Sequence, residues 1–152
     1  METGATLPDV MVMQADGAPL ALRRLIGAPA VIYFYPKADT PGCTREAQDF
    51  TALADPFATA GVAVLGVSKD PPAKLAKFAA KRALTVRLAS DESGAACEAF
   101  GVWGEKRLYG RTYMGVERAT FLFGPDGRLL REWRKVKVPG HAQAVLAAAR
   151  GL

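Results

Sequence analysis

Two cysteines and one histidine, Cys43, Cys97 and His141, are the residues of this sequence with the most chemistry to offer. Scattered this widely they lack the spacing of a zinc site, and two cysteines are too few to staple a secreted fold, so the chemistry to look for is that of a thiol. Cys43 stands in Tyr35-Pro36-Lys37-Ala38-Asp39-Thr40-Pro41-Gly42-Cys43-Thr44-Arg45-Glu46, where an apolar run stops at Pro36 and a helical pattern begins near Thr40. Its sulfur therefore belongs to the first turn of a helix, among unpaired N–H groups and at the positive end of the helix dipole. Both favour the thiolate, which is the nucleophile. A cysteine is also a common small core residue. Pro36, Pro41 and Gly42 within seven positions, however, suit a backbone pocket with free N–H groups better than the continuation of a core.

Elements that alternate in type must position this thiol. A short strand from Val10 to Met13 is followed by a turn at Asp16-Gly17 and a short helix from Leu20 to Leu25. Ala30 to Tyr35 is a continuous apolar run of the kind buried on both faces of a sheet. From Cys43 to Ala60 the apolar residues Ala47, Phe50, Leu53, Ala54 and Phe57 recur at helical spacing. The pattern then predicts a strand from Val62 to Val67, a helix from Ala73 to Arg82, a strand from Thr85 to Leu88 and a helix from Ser93 to Phe100. A glycine-containing loop from Val102 to Gly115 precedes a hairpin, Ala119 to Phe123 and Arg128 to Trp133, turned by Gly124-Pro125-Asp126-Gly127. A helix from Ala142 to Ala149 ends the series. The expectation is one α/β domain over residues 1–152, a central mixed β-sheet flanked by helices.

The 152 residues, half of them hydrophobic, suffice for one packed core. The net charge of +5 is spread along the chain, and its densest cluster, Arg131 to Lys137, is interrupted by Glu132, Trp133 and Val136. That reads as a solvated strand face and not as a nucleic-acid site. No basic leader opens the sequence and no apolar run approaches a membrane span, so a cytoplasmic protein without membrane contact is expected. No glycine-rich nucleotide loop occurs, and no cofactor or metal is called for. His141, which follows Pro139-Gly140, reads as a surface or capping residue, because an ionised thiol needs no base.

Pro36, Thr40 and Cys43 match the Pro-x-x-x-Thr-x-x-Cys motif of peroxiredoxins, and Glu117-Arg118-Ala119-Thr120-Phe121-Leu122 resembles the segment that carries that family's active-site arginine. Asp39 to Thr44, Gly101 to Lys106 and Tyr109 to Gly115 resemble the peroxiredoxin Q branch, also called bacterioferritin comigratory protein. The similarity extends from about Leu7 to the last helix. It implies a thioredoxin-like fold, a peroxide substrate, a thiol reductant such as thioredoxin, glutaredoxin or glutathione, and a monomer. It also implies roles: Cys43 attacks the peroxide, Arg118 and Thr40 hold the reacting oxygens, and Pro36 shields the sulfur.

The resemblance leaves the second half of a catalytic cycle open. Branch members often carry a resolving cysteine five residues after the first, here Gln48, or about thirty-six residues after it, here Ala79. Cys97 then has two readings, a buried packing residue or a resolver in a two-Cys cycle, and reduction by an external thiol is the leading expectation. Glu46, three places after Cys43, speaks against a disulfide reductase, which needs Cys-x-x-Cys. A thioredoxin-like binding or chaperone module is the remaining alternative, and it would leave Pro36, Thr40, Cys43 and Arg118 unexplained.

Overall fold

The computed structural model describes residues 1–151, and residue 152 of the expected domain lies outside the described residues. In chain order the elements are β1 (Met11–Gln14), β2 (Pro19–Ala21), a 3-10 turn (Leu22–Leu25), β3 (Ala30–Phe34), α1 (Pro41–Ala52), α2 (Ala54–Thr59), β4 (Ala63–Ser68), α3 (Pro72–Arg82), β5 (Arg87–Ser90), α4 (Ala95–Ala99), β6 (Trp103–Leu108), β7 (Arg111–Val116), β8 (Ala119–Phe123), β9 (Leu129–Trp133) and α5 (His141–Arg150). Seven strands form one sheet in the order β2-β1-β5-β4-β3-β8-β9. β3, β4 and β5 are parallel, while β1 and β8 join them antiparallel. The mixed α/β sheet expected from the alternation of elements is therefore the observed one.

β3 explains why its sequence is apolar throughout. Successive side chains point to opposite faces, and both faces are covered. Ile32 and Phe34 enter one core with Cys97, Phe100, Phe121 and Phe123. Val31, Tyr33 and Tyr35 enter the other with Cys43, Phe50, Phe78 and Val145. On that second face Gly66, opposite Tyr33 across the β3–β4 pair, is needed for close packing, since a Cβ there would lie 2.5 Å from the Tyr33 ring. The same ring stacks on Phe50 of α1 at 4.6 Å between centroids, which seats the helix that carries Cys43.

Four expected elements differ. The single helix from Cys43 to Ala60 is two helices meeting at Leu53, because Pro56 has no N–H to bond a carbonyl one turn back. The strand expected over Thr85 to Leu88 begins later, because the Thr85 and Val86 N–H groups donate to Thr51 Oγ1 instead of to a neighbouring strand. The residues expected as a helix from Leu20 to Leu25 split between β2, which pairs with β1, and the 3-10 turn. The loop expected from Val102 to Gly115 is a regular antiparallel ribbon, β6–β7. Its turn is Tyr109-Gly110, both at positive φ, 51° and 74°. Two positive φ values match the twist of a hairpin, and a tyrosine in the first of those positions hid the usual Asn-Gly signal.

His141 is also corrected. It is 7 % exposed, its Nε2 shares a 2.7 Å hydrogen bond with Thr120 Oγ1, and its ring stands edge-on to Phe50 and Trp133. Burial, with repulsion from Arg118, lowers its pKa to about 4. A base that binds its proton more weakly in the fold than in the unfolded chain stabilises the fold fully above about pH 6.5 and loses that contribution as the pH falls toward 4. His141→Asn is accordingly expected to flatten the acid limb of stability by on the order of 2 kcal/mol between pH 7 and pH 4, read by urea unfolding at each pH.

Candidate active site

The last backbone bond made where β3 ends is Tyr35 N–H to the Val67 carbonyl at 3.1 Å, and Pro36, which has no N–H, releases the chain from the sheet. The segment 36–40 then crosses from the carboxyl end of the sheet to α1. Ala38 N–H donates to Asp70 Oδ2 at 2.7 Å. Asp39, at φ 63°, accepts from Lys81 Nζ at 2.8 Å and from Arg82 Nε at 2.9 Å, both at the end of α3. Three side-chain anchors thus fix a loop that has no regular structure.

Thr40 occupies the cap position of α1, but it does not cap. Its hydroxyl donates to the Lys37 carbonyl at 2.8 Å, and no helix N–H is bonded to it. With its proton committed, Thr40 Oγ1 is left as an acceptor. Pro41 and Gly42 follow, and Cys43 lies in the first turn with 2 % exposure.

Arg118 reaches this turn from the other side of the sequence. The β3–β8 register sets Ala119 opposite Phe34, so Arg118 lies one step further on, beside the strand end that leads to Pro36. Its Nη2 donates to Cys43 Sγ at 3.3 Å and its Nη1 to Glu46 Oε1 at 2.7 Å. Gly42 permits the approach, since a Cβ there would be 3.1 Å from Nη2. The guanidinium fork thus holds a carboxylate with one nitrogen and the thiol with the other.

Glu46 was singled out from sequence only as evidence against Cys-x-x-Cys, and the structure gives it a larger part. It is 1 % exposed and lies one helical turn after Cys43, on the same face. Burial raises its carboxyl pKa to about 7, against the pull of Arg118 in the opposite direction. An acid that holds its proton more tightly folded than unfolded stabilises the fold fully below about pH 4.5 and loses that contribution as the pH rises to 7. Glu46→Gln cannot ionise, so its stability relative to the parent protein is expected to increase from pH 4.5 to pH 8 in urea unfolding. A constant difference across that range would mean that Glu46 does not titrate there.

Cys97 does not join the site. It is fully buried in the core on the opposite face of the sheet from Cys43, and both thiols are free. Its N–H donates to Asp91 Oδ2 at 2.8 Å, and burial together with the Asp91 carboxylate pushes its thiol pKa far up. Such a thiol is a poor nucleophile. Ala79 and Gln48 occupy α3 and α1 as non-thiol residues. Among the described residues no group of three or more His, Cys, Asp or Glu side chains is placed to hold a metal ion, and no helix is long and apolar enough to cross a membrane.

A buried thiol held against an arginine at a helix N-terminus is a site for attack on a small, polarisable electrophile whose leaving oxygen needs positive charge. Comparison with known proteins agrees. The AhpC/TSA family matches residues 3–131. Peroxiredoxin Bcp of Xanthomonas campestris pv. campestris is 46% identical over 150 residues, 99% of this chain and 94% of that protein. The structure of bacterioferritin comigratory protein from Xanthomonas campestris, studied for its alkyl peroxide reduction activity, superposes with a TM-score of 0.91 at 44% identity and covers 99% of this chain and 98% of that one. A cysteine-to-serine mutant of PrxQ from Xylella fastidiosa gives a TM-score of 0.94 at 38% identity, over 99% of this chain and 96% of the other.

Proposed function

We propose, from the premise that the chain belongs to the AhpC/TSA family of peroxiredoxins, that Cys43 is its peroxidatic thiol and that a thiol from outside the chain completes the cycle. The protein is a thiol-dependent peroxidase of the peroxiredoxin Q branch, with a thioredoxin-like fold. The observation that carries the assignment of Cys43 is the Arg118 fork, which touches Sγ and Glu46 at once.

The thiolate attacks one oxygen of the peroxide in line with the O–O bond. The S–O bond forms as the O–O bond breaks, sulfur is oxidised to sulfenic acid, and the departing oxygen leaves as water or alcohol after taking a proton. Arg118 holds positive charge where that oxygen becomes negative, and Glu46 keeps the fork aimed. Thr40 Oγ1, its own proton spent on Lys37, accepts from the peroxide O–H. Pro36, half-buried at the loop entrance, limits water at the sulfur.

The external thiol is supported by what surrounds the sulfur. Cys97 lies across the sheet, and Gln48 and Ala79 offer no thiol on the Cys43 face. One thiol of a reductant condenses with the sulfenic acid to give a mixed disulfide and water. A second thiol then displaces Cys43 as thiolate and leaves the reductant oxidised. Hydrogen peroxide or an alkyl hydroperoxide added to the protein with NADPH, thioredoxin reductase and thioredoxin is expected to drive continuous NADPH oxidation. Oxidation that stays at the protein-free rate with this couple, and with glutaredoxin and glutathione, would contradict the reading.

A further inference from the structure

Four of the eight large apolar side chains exposed among the described residues, Leu108, Tyr109, Tyr113 and Met114, lie on the β6–β7 ribbon. The ribbon is a two-stranded sheet separate from the seven-stranded one. The cross-strand pair Trp103 and Val116 roots it in the core. Alternation along the strands then sends Lys106, Leu108, Arg111 and Tyr113 to the other face, with Leu108 opposite Arg111 and Lys106 opposite Tyr113. The root of the ribbon adjoins the arginine that holds the reactive thiol. β7 ends two residues before Arg118, and the half-buried Lys106 is repelled by the charge of that arginine. The two cations of this face, Lys106 and Arg111, have no ion-pair partner among the described residues.

We infer that this face of the ribbon is the docking surface for the reductant, a protein dithiol that presents an apolar contact patch rimmed by carboxylates. The inference rests on the peroxidase reading and assigns a surface to its second step. Two unpaired cations, Lys106 and Arg111, beside Leu108 and Tyr113 select a partner of negative rim charge and speed its approach. They disfavour a second copy of this chain, whose net charge of +5 would bring like charges together. The size of the patch points the same way. One face of two six-residue strands falls below the roughly 1,200 Å² of total buried area that separates transient redox encounters from stable pairs. A reductant must leave after every turnover, so a small, charge-steered surface fits its task.

The test uses the full chain carrying Leu108→Ser, Arg111→Glu and Tyr113→Ser together. Three rates are compared with the unaltered protein: oxidation of Cys43 by hydrogen peroxide, reduction of the sulfenic acid by dithiothreitol, and its reduction by an acidic thioredoxin. The thioredoxin rate is expected to fall about tenfold or more, the loss typical of removing central contacts from an interface, while the other two stay unchanged. In the unaltered protein the thioredoxin rate is expected to fall as sodium chloride is raised, and this dependence should weaken in the variant. An unaltered thioredoxin rate in the variant overturns the docking surface and leaves the peroxidase reading intact. So does a concentration-dependent dimer of the parent protein that the substitutions abolish, or binding of the parent protein to phosphatidylglycerol vesicles that they abolish. Absence of the peroxide step in the parent protein overturns the peroxidase reading itself, and the surface with it.

Discussion

Cys43→Ser is expected to reduce peroxide turnover to the uncatalysed background while leaving the fold intact. A serine hydroxyl fills the volume of the thiol and can still accept from Arg118 Nη2, which stands 3.3 Å from Sγ, so the stability change should stay near 1 kcal/mol. What it cannot do is ionise and form a sulfenic acid, so the reaction loses its first covalent step. The corresponding change at Cys97 works as the control. Cys97→Ser puts a hydroxyl into a fully buried apolar core beside Asp91, which costs stability but should leave the peroxide step alone. Turnover that survives Cys43→Ser, or that disappears with Cys97→Ser in protein shown to be folded, would reverse the roles assigned to the two thiols.

Arg118→Ala is expected to slow the reaction of the reduced protein with peroxide by about 10²- to 10³-fold, the usual cost of removing one preorganised donor from a developing oxyanion. The substitution also strands Glu46, buried and paired only with Arg118. An unpaired carboxylate in such a place takes up a proton. Arg118→Lys separates the two effects, since it restores a charge for Glu46 without the planar fork that reaches thiol and carboxylate together. Stability should therefore recover further than rate. Stopped-flow oxidation and urea unfolding on both variants give the two readouts, and a lysine variant as fast as the parent protein would show that charge alone, without the fork, is what the step requires.

Much of this arrangement is legible in the residues. β3 announces itself because a strand covered on both faces has no polar positions, and Pro36 ends it because a residue without N–H cannot continue the ladder. Cys43 could be assigned to the first turn of a helix because Thr40, Pro41 and Gly42 start one. The β6–β7 ribbon was hidden because most of its length faces solvent, so it shows neither an apolar alternation nor an Asn-Gly turn. Glu46 was passed over because its partner lies 72 residues away, and nothing local distinguishes a buried charge from a solvated one. The available signal was its spacing, three residues after Cys43 and so on the same face of α1. His141 was misplaced for a similar reason. Its hydrogen-bond partner, Thr120, sits in β8, 21 residues away, and only the packing of α5 on the sheet brings the two together.

The two perturbed groups beneath the site act on stability in opposite directions of pH. His141 withdraws stability as the pH falls from about 6.5 toward 4, and Glu46 withdraws it as the pH rises from about 4.5 to 7. Above 7 the Glu46 carboxylate is charged and its pairing with Arg118 is an ion pair.

The central claim is that Cys43, and not Cys97, meets the peroxide and that no thiol of this chain resolves the product. The most direct test is the mass of the protein after one equivalent of hydrogen peroxide in the presence of dimedone, followed by peptide mapping without reduction. The account predicts one dimedone adduct, on Cys43, with Cys97 a free thiol. A disulfide between Cys43 and Cys97 would contradict the external-thiol cycle and make Cys97 the resolver, and two unmodified thiols would contradict the peroxidatic role of Cys43 itself.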